Sequence, residues 1–160
     1  MDRDAYNEKL SSAKTEILFV VLTLIFLALF VWRWPSAGWN GWTVTFLCFF
    51  AFFLFYSLNY RWLKIHLTPD TLQLTFGIFT WRIAISNIKN CYLDEDSLWR
   101  FGGAGIHFMW IKGKYRAFFN FLEYPRVVVT FKEKKGPVRE IAFSTKEPER
   151  VMEIIQGRFS

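Results

Sequence analysis

Residues that carry chemistry are scarce in this chain. It has two cysteines and two histidines in 160 residues. Cys48 sits in the middle of an apolar run and Cys91 in a much more polar part, so a disulfide between them is implausible. Neither has a partner at zinc-ligand spacing. His66 and His107 stand alone, without Cys, Asp or Glu at ligand distance in the sequence, and a lone histidine is more often packed than ligating. Ser144 or Cys91 with His107 as base would be the only nucleophilic arrangement, but nothing around them resembles a nucleophile elbow, and Cys91 alternates with Tyr92 as a packed strand residue does. Neither a metal nor a cofactor is expected, and catalysis is not expected.

Charge is also missing where it matters most. Residues 17–32 (ILFVVLTLIFLALFVW) contain Thr23 as their only polar side chain, and residues 42–58 (WTVTFLCFFAFFLFYSL) carry no charge. With its aromatic ends, each run approaches the roughly 20 residues that a helix needs to cross a bilayer core of about 30 Å. Neither keeps the polar face of a helix packed on a soluble core. The reading is a transmembrane hairpin over residues 17–60, with helices at 17–34 and 42–60. No ionisable group lies within either run, which disfavours a transporter or proton relay and leaves an anchor. A cleaved signal peptide fits poorly, because the first run is long, ends in Trp32 and Trp34, and follows as many acids as bases.

The break between the runs, RWPSAGWNG, holds Pro35, Gly38, Asn40 and Gly41 and predicts a tight turn. Trp32, Trp34, Trp39 and Trp42 cluster there, and Tyr56, Tyr60 and Trp62 mark the opposite end. Indole and phenol rings favour the headgroup interface, so these seven residues read as membrane-interface anchors. Basic residues Arg3, Lys9, Lys14, Arg61 and Lys64 flank the hairpin while the turn holds Arg33 alone. That bias places both termini in the cytoplasm of an integral protein of the cytoplasmic membrane. Residues 1–16 are polar and read as partly helical, from the i, i+4 spacing of Tyr6 and Leu10.

Residues 1–60 hold four basic and four acidic side chains, so the whole formal surplus of +6 lies in residues 61–160. That second part alternates in period two between turn signals. Leu72, Leu74 and Phe76 alternate with Thr71, Gln73 and Thr75, and further strands are predicted at 64–67, 79–83, 88–93, 106–111, 115–121, 127–131 and 139–144. Asp94, Glu95 and Asp96 lack the spacing of a calcium loop and read as a solvated acidic loop. The run Gly102-Gly103-Ala104-Gly105 leads into a strand rather than a helix, so a bend is a better reading than a phosphate cradle. A final helix is predicted over Val151, Met152, Ile154 and Ile155, with Thr145 as N-cap and Pro148 in its first turn.

Short strands followed by one amphipathic helix outline a pleckstrin-homology-like (PH-like) barrel. The series Ile65-His-Leu-Thr-Pro-Asp-Thr-Leu72, Gly77, Ile85-Ser-Asn-Ile88, Gly102-Gly-Ala-Gly-Ile106 and Phe143-Ser-Thr-Lys-Glu-Pro148 resembles the bacterial PH-domain membrane proteins. The resemblance covers roughly residues 62–158, and in those proteins a hydrophobic hairpin commonly precedes the barrel. It implies a mainly-β PH-like barrel of about seven strands, capped by a C-terminal helix, over residues 61–160. The paired basic motif of phosphoinositide-binding PH domains is absent between the first strands, where this chain has Gly77-Ile78 with only Arg82 nearby.

PH-like barrels host many roles. The function expected is a non-catalytic binding or scaffold domain that recruits or stabilises a membrane or membrane-associated protein. The alternative is a binder or sensor of anionic lipid headgroups through the basic hairpin tips Lys112, Lys114, Arg116, Lys134 and Lys135. An uncharacterised membrane enzyme comes last. Nucleic acid is not an expected partner, because the aromatics interleaved with these bases, such as Tyr115 and Phe118, read as core.

Overall fold

A computed structural model describes residues 6–96 and 103–157, with the side chains of all of these except Lys134 and Lys135. The chain forms two compact units. One is helical, Ala13–Arg61; the other joins Met1–Ser12 to Trp62–Ser160.

The helical unit is two helices, α1 (Ala13–Ala37) and α2 (Gly41–Asn59). Both are long and apolar enough to cross a membrane, with mean hydropathies of 2.5 and 1.8 over their most apolar stretches. α1 runs past the predicted break and carries Pro35 inside its last turn. A proline there forfeits one backbone hydrogen bond in a helix about to end, which is why it is tolerated. The reversal is made by Gly38, at φ +52°, and by Asn40, whose side-chain carbonyl accepts from the Thr43 amide at 3.0 Å and caps α2. The helices meet through rings: Phe26 stacks on Phe49 at 5.0 Å and on Phe53 at 5.4 Å, and Phe19 meets Tyr56 at 5.4 Å.

The second unit is built of strands. β1 (Tyr6–Leu10), β2 (Leu63–Leu67), β3 (Thr71–Phe76) and β4 (Phe79–Ala84) form an antiparallel sheet in that order. β5 (Ile88–Leu93), β6 (Gly105–Ile111), β7 (Lys114–Asn120), β8 (Arg126–Lys135) and β9 (Val138–Ser144) form a second sheet, ordered β5-β8-β9-β7-β6. Only the β7–β9 pair is parallel. The expected barrel of about seven strands is thus nine described strands in two sheets that do not close on each other.

Alternation explains the core. Leu63, Ile65 and Leu67 of β2 and Leu72, Leu74 and Phe76 of β3 all point inward and are almost fully buried. Each such side chain contributes about 1.5–3 kcal/mol relative to exposure. Phe76 meets Phe121 edge-on at 5.0 Å, and Trp81 meets Phe119 at 6.2 Å, so rings from both sheets share one core. Helix α3 (Pro148–Gln156) buries Val151 and Ile155, and Gln156 donates to the Cys91 carbonyl at 3.0 Å.

Two local expectations are corrected. Residues 6–10 are not helical. They pair antiparallel with β2, Leu10 facing Leu63 and Tyr6 facing Leu67. Tyr6 and Leu10 share a face in either periodicity, because a spacing of four is one helical turn and also two strand repeats. The helical hairpin is therefore inserted between two paired strands. Thr145 does not cap α3 either. Its hydroxyl donates to Glu8 at 2.7 Å and accepts from the Glu147 amide at 3.2 Å, and Glu147 occupies the cap position without a side-chain capping bond.

Candidate functional site

The β6–β7 hairpin turns through two residues, Lys112 and Gly113, both at positive φ (48° and 79°). Two such residues make the tight turn whose twist matches the strands. Ile111 faces Lys114 across the turn, and Met109 faces Arg116. Strand parity then separates Lys114 and Arg116 from the rings of Phe108, Trp110 and Tyr115.

Lys114 and Arg116 share a parity, and both reach Glu140 of β9. Lys114 Nζ lies 2.6 Å from Glu140 Oε1, and Arg116 donates to Oε2 through Nε at 3.0 Å and Nη2 at 2.8 Å. Arg116 also donates to the Tyr92 hydroxyl at 3.1 Å and lies 3.5 Å from Asp94. Asp94 in turn pairs with Arg126 Nε at 3.0 Å, and Arg126 donates to the backbone carbonyl of Asp96. The Arg116 and Arg126 guanidinium carbons sit 5.8 and 5.9 Å from the centre of the Phe118 ring, on which His107 stacks at 4.7 Å.

This cluster is buried. The Asp94, Arg116, Arg126 and Glu140 side chains are each at most 4% exposed. Burying charge without partners is very costly, so each is held by an opposite charge. Burial alone would raise the Glu140 pKa, but the hydrogen bonds from Lys114 and Arg116 outweigh it and hold the carboxyl below its ordinary value. Burial raises the Tyr92 hydroxyl, with Arg116 opposing, and pushes the Cys91 thiol up to about 12.

Of the five residues expected to face lipid, the structure thus commits Arg116 to a buried ion pair. Lys114 is half-exposed but bonded to the same carboxylate. Only Lys112 stands at the tip, its side chain 78% exposed and a weak 3.4 Å from Asp96. The side chains of Lys134 and Lys135 lie outside those described. The expected solvated acidic loop is corrected at Asp94, whose side chain is buried and ion-paired, because Arg116 of β7 and Arg126 of β8 need a counter-charge. Ser97 and Gly102 lie outside the described residues; Gly103, ahead of β6, and Gly105, its first residue, sit at φ +97° and +99°, as a bend requires.

The other parity buries Ala117 and Phe119 but is aromatic and more open toward the tip, where Tyr115 is half-buried. Phe108 and Trp110 of β6 are 46% and 69% exposed. Tyr115 of β7 meets Phe108 at 6.0 Å and Trp110 at 5.4 Å. Sequence reading placed Tyr115 and Phe118 together as core. Phe118 is buried, whereas Tyr115, of the opposite parity, is half-buried beside the exposed Phe108 and Trp110. On the other sheet, the outer strand β4 and its turn expose Ile78 and Phe79.

The aromatic residues around the helices are placed as follows. Trp32, Trp39 and Trp42 are exposed, and Trp34 packs edge-on against Trp39 at 4.6 Å. Tyr60 is buried and lies 4.5 Å from Tyr56. Trp62 is covered on one side by Lys9 Nζ, 4.2 Å from its ring centre. A separate recess of about 790 Å³ is lined by Asp70, Ile85, Lys89 and Lys132 among others, with Lys132 donating to the Ser86 carbonyl at 2.9 Å. Among the described residues, no three His, Cys, Asp or Glu are grouped to hold a metal ion.

No protein-family model matches the chain, and no curated protein compared with it matches either.

Proposed function

We propose that this chain is a membrane-anchored, PH-like binding and scaffold domain on the cytoplasmic face of a bacterial membrane, where it recruits or stabilises a protein partner without catalysing a reaction. α1 and α2 serve as the anchor. Their length and hydropathy support this reading, as does the bias of basic residues toward the flanks. The PH-like reading rests on the strand series and on the single helix that follows the last strand.

The observation that carries partner recruitment is the outer strand β4. It pairs with β3 on one side and is last in its sheet. At its start it displays Ile78, 72% exposed, beside the exposed ring of Phe79. Among the described strands β4 is an edge, and an edge strand with apolar side chains at its start is a template to which a partner can add a strand.

The test is photo-crosslinking of the full chain in its native membrane. A benzoylphenylalanine at Ile78 should yield one discrete protein adduct, and the same probe at Arg139 should not. Phe79→Glu should abolish the adduct. If the Ile78 probe yields lipid adducts alone, the recruitment reading fails.

A further inference from the structure

The exposed rings of the β6–β7 hairpin call for an occupant, and their chemistry differs from that of the β4 edge. Phe108, Trp110 and Tyr115 form one contiguous aromatic face, joined by ring contacts of 6.0 and 5.4 Å. Lys112 stands at its tip, 78% exposed at the side chain. Apolar rings carrying an indole N–H and a phenol O–H, next to an exposed ammonium, match the headgroup layer of a bilayer. There the rings are half-dehydrated while the polar atoms and the cation meet water and phosphate.

Charge points the same way. The surplus of +6 falls in residues 61–160, which attracts the domain to anionic lipid over a Debye length. Among the described residues, Asp96 is the acid placed against Lys112, at 3.4 Å in a weak pair, and such pairs are readily exchanged for another anion. Chain length supplies proximity. Only Tyr60, Arg61 and Trp62 separate α2 from β2, so if α2 spans a bilayer the hairpin never escapes that bilayer's vicinity, and a weak surface contact acts at high effective concentration.

We infer that the β6–β7 hairpin is a second membrane contact, in which Trp110, Phe108 and Tyr115 enter the headgroup layer of an anionic bilayer and Lys112 pairs with lipid phosphate. The contact is separate from the β4 edge. It shares with partner recruitment only the anchoring role of α1 and α2, and either can fail without the other.

The full chain, labelled with 5-fluorotryptophan, is placed in nanodiscs with and without phosphatidylglycerol. Trp110→Phe identifies the Trp110 resonance among those of the eight tryptophans. A spin label on the lipid headgroup should broaden that resonance in anionic discs, while a water-borne gadolinium chelate leaves it sharp. The headgroup effect should fall several-fold in phosphatidylcholine discs and in Lys112→Asn, a substitution the left-handed tip backbone accepts. A Trp110 resonance broadened by the chelate and untouched by the lipid label in anionic discs would overturn the inference. So would protection from both agents that appears only when two chains share a disc, since that assigns the rings to a second copy.

Discussion

Glu140 shows how much the buried residues of the second sheet depend on one another. Its carboxylate accepts from Lys114 and from two nitrogens of Arg116, while Tyr92 and Thr130 lie at 3.5 and 3.4 Å. Glu140→Gln removes the charge and keeps the shape, leaving Arg116 buried with Asp94 as its remaining counter-charge. Breaking such a pair from one side costs about 3–5 kcal/mol. The pH dependence follows in sign. The folded-state pKa is held below the ordinary 4.5, so the stabilisation is complete above the ordinary value and is lost as pH falls through the folded one. Denaturant unfolding of the full chain in detergent, followed by β-sheet circular dichroism, should show the variant much weaker at neutral pH and the gap closing in acid. Equal stability at neutral pH would contradict the network. Cys91 offers a second check. With its thiol pushed up to about 12 by burial, it should resist iodoacetamide at mildly alkaline pH until denaturant is added, as read by mass spectrometry. The sequence held a partial signal for this site. Arg116 and Arg126 each stand directly before an apolar strand residue and Glu140 directly before Ile141, where a charge is usually paired. Sequence reading assigned Arg116 to a basic hairpin tip, whereas Arg116, Ala117, Phe118, Phe119 and Asn120 are all buried, so alternation gives no contrast along β7.

At the scale of elements, β1 is the instructive case. It adds an edge to the first sheet and is tied down twice more, by Glu8 bonding Thr145 and Lys146 and by Ser12 donating to Glu123 at 2.7 Å. Leu10 is fully buried opposite Leu63. Leu10→Ala should therefore cost about 2–5 kcal/mol, as truncation in a packed core does. Amide exchange should speed up in β2 and leave α2 unchanged. A loss confined to residues 6–10, with β2 protection intact, would mean that β1 is an accessory strand. The other eight strands were legible from alternation and turn residues, because each pairs with partners made of the same short-range signals. β1 was not. Its partner lies beyond both apolar helices, whereas sequence reasoning looks for hairpin partners close by, and its two apolar residues fit both periods. The helix boundaries slipped for a related reason. Pro35 signals a break, but the helix-ending geometry is supplied by Gly38 and Asn40.

For the whole molecule, the insertion of a helical hairpin between two paired strands constrains topology more tightly than charge counting does. β1 and β2 are hydrogen-bonded neighbours from Tyr6–Leu67 to Leu10–Leu63. Such a ladder cannot form across a bilayer, because its partners must lie about 5 Å apart. If α1 and α2 span, the segments before α1 and after α2 share one side, and the turn at Gly38 lies on the other. The proposed cytoplasmic assignment of that shared side rests on the flanking basic residues alone. Epitope and cysteine accessibility in intact cells and inverted vesicles separates these two statements. A tag ahead of Tyr6 and a cysteine at the exposed Arg139 should react from the same side, and a cysteine at Ser36 from the opposite one. Reaction of the first two only in inverted vesicles supports the cytoplasmic assignment. Reaction of both in intact cells reverses that assignment but leaves the β1–β2 ladder intact, since the ladder requires a common side without choosing it. Only a tag and an Arg139 site on opposite sides would break the ladder, and with it the placement of β1 in the sheet.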